Sequence, residues 1–239
     1  MIDVSRDPLR QAYDNEANTR DRQALPAWKK REREAFFSEF RKRGLQRLLE
    51  VGAGTGRDSR YFQDAGCDVT CIDLSSNMVR LCQDKGLDAR VMDVAALSFP
   101  TNSFDGVYAF NSLLHLEKSE LPDVLLEIQR VLNPGGLFYF GTYGGFDHEG
   151  IYQNDDHVPK RFFSFYDDEH LRRVVGQSFE ILEFRSVSRN VKDLRFQSLL
   201  LRKPCQIYTC SRREGALHGL EGIGVHIESR RHCLDQIFA

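Results

Sequence analysis

The segment Leu48-Leu49-Glu50-Val51-Gly52-Ala53-Gly54-Thr55-Gly56 constrains this chain more than any other. It reads as an apolar strand running into three alternating glycines. Glycine has no Cβ, so Gly52, Gly54 and Gly56 can take positive φ angles and let a ligand lie against the main chain at the carboxyl end of a strand. Glu50 adds an acidic acceptor beside that opening. A dinucleotide fingerprint requires G-x-G-x-x-G. Counted from Gly52 the third glycine position is Arg57, and counted from Gly54 it is Ser59, so neither frame suits a nicotinamide dinucleotide.

Two further runs share the same logic. Val69-Thr70-Cys71-Ile72-Asp73 is β-branched and ends in a carboxylate 19 residues after Gly54, about where an open α/β sheet puts the residue that binds a ribose. Ala89-Arg90-Val91-Met92-Asp93 ends in another, 20 residues further on. If these strands are parallel neighbours, Glu50, Asp73 and Asp93 line one edge of the sheet, where ligands of open α/β folds bind.

The series E-x-G-x-G-x-G, Cys71-Ile72-Asp73-Leu74-Ser75 and Met92-Asp93-Val94 resembles the class I S-adenosylmethionine-dependent methyltransferases. Phe104-Asp105-Gly106-Val107-Tyr108-Ala109-Phe110-Asn111 is similar to that family's fourth strand, and Leu132-Asn133-Pro134-Gly135-Gly136 to the turn before its fifth. The resemblance implies a Rossmann-like α/β fold. Its seven-stranded, mostly parallel sheet has an antiparallel last strand and helices on both faces. It also implies S-adenosyl-L-methionine as cofactor and S-adenosyl-L-homocysteine as product. Carried over by position, Glu50 approaches the methionine amino end and the backbone of Gly52, Gly54 and Gly56 packs along the donor. Asp73 accepts both ribose hydroxyls, since a bidentate carboxylate suits a vicinal diol. Asp93 accepts from the adenine amino group, Val94 offers a backbone N–H to the ring, and Leu74 and Met78 sandwich the base. Asp73 and Asp93 also read as a helix cap and a loop acid, and Met78 as a core residue.

Composition bounds the class. At 239 residues, with 41% hydrophobic and 28% charged residues, the chain has the makeup of a soluble globular protein with one domain and a modest appendage. The net charge of −2 gives no strong nucleic-acid signal and no call for an anionic membrane. The start lacks a signal-peptide pattern, and no run reaches the about 18 apolar residues of a span. A cytoplasmic enzyme is the expectation. Six cysteines in a chain of this kind suggest reduced thiols.

Residues 1–203 are expected to form the methyltransferase domain, with a helical leader over 1–43 broken at Pro26. Trp28, Phe36, Phe37 and Phe40 give the second leader helix an apolar side. Leader helices in the resembled family cover the donor pocket, so Tyr13 is a candidate substrate contact as well as a packing residue. Strands are expected near 47–52, 69–73, 88–92, 104–110, 136–143, 179–187 and 195–202. Helices are expected near 57–65, 76–84, 119–131 and 167–176. Residues 204–239 depart from the pattern. They hold Cys205, Cys210, Cys233, His218, His226 and His232 with no C-x-x-C pair, plus helix-breaking glycines, and read as a weakly packed appendage.

Asn111-Ser112-Leu113-Leu114-His115 follows the fourth strand, where the family brings acceptor and methyl together. Asn111 is grouped with the cofactor contacts. Family members that methylate adenine, cytosine or glutamine amides carry Asn/Asp-Pro-Pro-aromatic here, which this chain lacks. His115 has the intrinsic pKa of a general base and is also a plausible packed residue. The stretch from Thr142 to Lys160 reads as a long insert closed by Arg161-Phe162-Phe163-Ser164-Phe165-Tyr166. Tyr143 and Tyr166 there, and His115 after the fourth strand, are candidate substrate contacts. A metal site from His148, Asp155, Asp156 and His157 is disfavoured, and no metal is expected. Three functions stay open: transfer to a small-molecule acceptor, transfer to tRNA or protein with a partner, and non-catalytic donor binding. The oligomeric state is not legible.

Overall fold

The computed structural model describes residues 6–153, 155–188 and 194–205. The chain partitions after Pro204, so the expected appendage, Pro204 and Cys205 apart, lies outside the described residues. The order of elements is α1 (Asp7–Arg22), α2 (Ala27–Lys42), β1 (Arg47–Val51), α3 (Arg57–Asp64), β2 (Asp68–Asp73), α4 (Ser76–Asp84), β3 (Asp88–Val91), β4 (Phe104–Phe110), α5 (Leu121–Val131), β5 (Leu132–Gly144), β6 (His148–Ile151), β7 (Phe162–Phe165), α6 (Asp168–Val175), β8 (Glu180–Ser188) and β9 (Arg195–Arg202). Seven strands form one sheet in the order β3-β2-β1-β4-β5-β9-β8, while β6 and β7 form a separate hairpin. Neighbours from β3 to β5 run parallel. Strand β9 is antiparallel to both β5 and β8.

Alternation along the strands sorts side chains onto two buried faces. Leu48, Tyr108, Leu137 and Tyr139 point to the face covered by Phe36 and Phe40 of α2 and Phe62 of α3. Leu49, Val51, Val107, Ala109, Phe138 and Phe140 point to the opposite face. There α5 presents Leu121, Val124, Leu125, Ile128 and Val131, spaced as one helical stripe. Each fully buried side chain of this kind contributes about 1.5–3 kcal/mol. Gly106 lets α2 close on the sheet, since a Cβ there would lie 2.5 Å from Phe40 Cε2. No helix among the described residues is long and apolar enough to cross a membrane.

The two leader helices dock by different means. Helix α2 is pinned by a buried carboxylate, Glu32, which accepts from Ser198 Oγ at 2.8 Å, Tyr139 Oη at 3.1 Å and Arg185 Nη2 at 2.9 Å. Helix α1 buries only Ala12 and Ala17 and is held by polar contacts. Asp14 accepts from Ser75 Oγ at 2.5 Å and from Asn77 N–H at 3.1 Å, a carboxylate at the N-terminus of α4 where the helix dipole favours it. Arg6 reaches both Asp93 and Glu120.

Glu32→Ala removes the acceptor of two buried hydroxyls and one of the two carboxylates paired with Arg185. The expected loss is about 2–4 kcal/mol in the unfolding free energy from urea titration. Glu32→Gln should lose less, and a change under about 0.5 kcal/mol for the alanine variant would remove the pinning role.

Candidate functional site

A cavity of about 330 Å³ opens at the carboxyl ends of β1, β2 and β4, where the strand order reverses between β1 and its two neighbours. Its floor is the turn after β1. Gly52 and Ala53 donate to Ile72 O at 2.9 and 3.0 Å, which ties the turn to β2. Gly52, Gly54 and Gly56 have φ of +70°, +55° and +75°. A Cβ at Gly52 would fall 2.3 Å from Ser112 Cβ, so a glycine here lets the turn and the chain after β4 close on one another.

Asp73 ends β2 at the cavity wall. Its Oδ2 accepts from Gly54 N–H at 2.8 Å and its Oδ1 from Ser75 N–H at 2.9 Å. Burial raises its pKa, opposed by those two N–H donors. Each oxygen keeps a further lone pair for a ligand hydroxyl. Glu50 also lines the cavity, is buried, and accepts from Ser59 Oγ. Burial, and then the nearby Asp58, push its pKa well above the usual carboxylate range. Asp58 is itself held by Arg33 of α2 at 3.0 Å. Leu74 and Val94 line the cavity with Ile72 and Met92, giving an apolar slot at the β2–β3 end.

Asn111 follows β4 in a left-handed conformation, φ +55°, which asparagine tolerates better than most side chains. Its N–H donates to Gly141 O at 2.7 Å. Its Oδ1 and the Ser112 Oγ are buried without a partner among the described residues, and both residues line the cavity. Buried polar atoms of this sort are normally satisfied, so a bound molecule with donors fits here.

Four expected contacts fall outside the lining. Gly56 starts α3 and faces away, with a Cβ there 2.6 Å from Leu87 Cδ1 and 2.8 Å from Cys82 Sγ. It is a packing glycine between α3 and α4. Met78 is fully buried in the first turn of α4, and Met92 takes the place beside the slot. Asp93 caps the short turn Val94–Ala96 through Ala95 N–H and is paired with Arg6, so its carboxylate is engaged outside the cavity. Tyr166 is buried in the core beside α6, its ring under Lys118 and against His170.

Tyr13, His115 and Tyr143 do line the cavity. His115 Nδ1 lies 2.8 Å from Phe162 O and must donate to that carbonyl. Its Nε2 then accepts from the Tyr13 hydroxyl at 2.6 Å. Arg161 Nη1 donates to the same hydroxyl at 3.0 Å. Burial lowers the His115 pKa to about 3 and raises that of Tyr13, so a neutral imidazole faces a neutral phenol. Arg161 is oriented by Asp155, with contacts of 2.9 Å from Nε and 2.7 Å from Nη2. Against the cost of burial, those bonds hold Asp155 below the usual carboxylate range.

The expected insert is the β6–β7 hairpin and its connection. It brings Arg161 and Phe163 to the cavity and packs Phe163 against His115 with tilted rings and centroids 4.7 Å apart. Arg6, Leu9, Arg20 and Lys29 of the leader line the roof. None of these cations stands out in the sequence, since arginines are frequent throughout the leader; Arg161 is marked only by the aromatic run that follows it.

The sequence profile of the methyltransferase domain family matches residues 49–140. A malonyl-[acyl-carrier protein] O-methyltransferase of Enterobacter lignolyticus is 32% identical over 115 residues, 47% of this chain and 45% of that protein. A demethylmenaquinone methyltransferase of Renibacterium salmoninarum is 37% identical over 108 residues, 42% of this chain and 45% of that protein. The chain thus spans less than half the length of these two relatives. The crystal structure of Burkholderia thailandensis 1,6-didemethyltoxoflavin-N1-methyltransferase, with bound 1,6-didemethyltoxoflavin and S-adenosylhomocysteine, matches with TM-score 0.66 and 23% identity. It covers 82% of this chain and 87% of that one, a likeness of fold. Residues 49–140 thus match the methyltransferase domain family, and the strand order and structural neighbour give the chain that Rossmann-like methyltransferase fold.

Proposed function

We propose that the cavity takes S-adenosyl-L-methionine and that the protein moves its methyl group to a small-molecule acceptor. The carrying observation is that Asp73 and the glycine turn share one wall with Glu50, Asn111 and the apolar slot of Leu74, Met92 and Val94. When bound, the donor supplies an electrophilic methyl on a sulfonium, taken by the acceptor's lone pair while the broken S–C bond leaves its electrons on sulfur. The chain's own task is positioning and water exclusion. In this reading Asp73 holds the ribose diol, Gly52 to Gly54 run along the donor backbone, and Glu50 faces the amino end. Leu74, Met92 and Val94 flank the base, and Asn111 with Ser112 faces the reacting end. Gly56 and Met78 support these groups from behind, and Asp93 acts through Arg6.

A small acceptor is favoured by the half-enclosed cavity and by the aromatic side chains Phe110, Tyr143 and Phe163 on its far wall. The named relatives are a malonyl-[acyl-carrier protein] O-methyltransferase and a demethylmenaquinone methyltransferase, and the structural neighbour holds 1,6-didemethyltoxoflavin. A nucleic-acid acceptor would call for a basic face that the net charge of −2 does not suggest. His115 is assigned to positioning. An imidazole of pKa about 3 already accepting from Tyr13 is a weak base near neutrality.

The reading is tested by incubating the protein with methyl-labelled donor and fractionated metabolite or RNA pools. Label is expected in the small-metabolite fraction; label only in RNA, or in none, contradicts it. Asp73→Ala should weaken donor binding in calorimetry by about a hundredfold, from two lost charge-assisted hydrogen bonds. Unchanged binding would remove the ribose assignment. For His115, the folded pKa of about 3 lies below the about 6.5 of the unfolded chain. Below about pH 6.5 the unfolded state therefore binds the extra proton, so stability falls as pH drops towards 3. Between pH 7 and 5 the native protein should lose about 1–2 kcal/mol more than His115→Gln. Equal losses would mean that the imidazole is not held neutral.

A further inference from the structure

The part of the cavity around Tyr13 and Phe110 carries positive charge, and no carboxylate lines it among the described residues. Arg20 and Arg161 each place Cζ 5.3 Å from the centroid of the Tyr13 ring. Lys29 Nζ lies 5.2 Å from the centroid of Phe110. These five residues and Phe163, whose ring also lies under Arg161, line the same space. The acids of the cavity, Glu50, Asp58 and Asp73, sit instead at the ends of β1 and β2 and at the start of α3.

The cations differ in how far they are already neutralised. Arg161 is forked onto Asp155, whose side chain is 5% exposed and stands behind the lining. Arg20 has no carboxylate ion pair among the described residues; its guanidinium lies over the Tyr13 ring. Its charge nonetheless reaches Tyr13, His115 and Asp73, as the direction of their electrostatic interactions with it records. An ammonium group brought to this wall would meet the Arg20 guanidinium, which no carboxylate among the described residues neutralises by an ion pair, and like charges in a partly desolvated space repel strongly. A carboxylate would gain charge-assisted hydrogen bonds from a planar fork, while the aromatic side chains Phe110, Tyr143 and Phe163 line the same space.

We propose that the acceptor is a flat organic acid whose carboxylate is bound by Arg20 beside the Arg161–Tyr13 pair, and that this wall excludes ammonium acceptors. The inference rests on the methyl-donor reading of the same cavity. It concerns recognition, and the carboxylate is the group held rather than the group methylated.

Ligand-observed NMR titrations of the full-length protein with benzoate, benzamide and benzylammonium, each with and without saturating S-adenosylhomocysteine, test it. Benzoate is expected to bind at least tenfold more tightly than benzamide with the cofactor product in place, and benzylammonium more weakly than either. Arg20→Gln should bring benzoate and benzamide to within about threefold, with Arg161→Lys as a second variant and S-adenosylhomocysteine binding as the check that each is folded. Equal binding of benzoate and benzamide, tighter binding of benzylammonium, or binding of none of the three overturns the proposal. So does a benzoate preference that disappears when S-adenosylhomocysteine is bound, because the arginine would then serve the donor. Failure of S-adenosylhomocysteine to bind, with the benzoate preference intact, would sink the donor reading and leave the anion site. The opposite pattern would spare the donor reading alone.

Discussion

The Asp73 carboxylate is the interaction on which the rest of the site depends. It sits at the end of β2, accepts from Gly54 N–H on one oxygen and from Ser75 N–H on the other, and so links the glycine turn to the start of α4. A buried carboxylate is costly unless it is hydrogen-bonded, and two backbone donors offset that cost without a neighbouring lysine or arginine forked onto it. The same two bonds leave each oxygen with a spare lone pair, on a residue that lines the cavity. The tight fit of Gly52 against Ser112 then fixes the distance between the turn after β1 and the chain after β4. Sheet topology brings the strand ends together, and these two contacts turn that edge into a shaped wall.

The roof is built differently from the floor. Helix α2 is anchored through a buried apolar face and Glu32, as befits an element that stays with the sheet. Helix α1 buries two alanines and relies on Asp14, Arg6 and Asn15 for attachment. Polar, partly exposed contacts are worth less per bond than packed side chains, so the helix carrying Leu9, Tyr13 and Arg20 is held less firmly than the floor it covers. A roof of that kind suits a site whose ligands must enter and leave.

Much of this was legible before the structure. The strand and helix positions follow from β-branched runs bounded by glycines and from apolar stripes such as Leu121 to Val131, and the observed elements agree with them to within a few residues. Glu50, Gly52, Gly54, Asp73, Leu74, Val94 and Asn111 line the cavity because each sits at or just after a strand end, which sequence order reveals. Gly56, Met78, Asp93 and Tyr166 do not, because the direction of a side chain one turn into a helix or within a loop is set by packing partners far away in sequence. The β6–β7 hairpin was invisible as strands, since Phe162-Phe163-Ser164-Phe165 has no clean alternation and only His148–Ile151 across the gap pairs it. Arg161, Arg20 and Lys29 gain meaning only once three separate segments meet around Tyr13.

The most direct measurement is a crystal structure of the protein soaked with S-adenosylhomocysteine. The account predicts the ribose hydroxyls on Asp73, the base between Leu74, Met92 and Val94, and the sulfur facing Asn111. A ligand seated elsewhere, or lying in the cavity with its ribose away from residue 73, would contradict it.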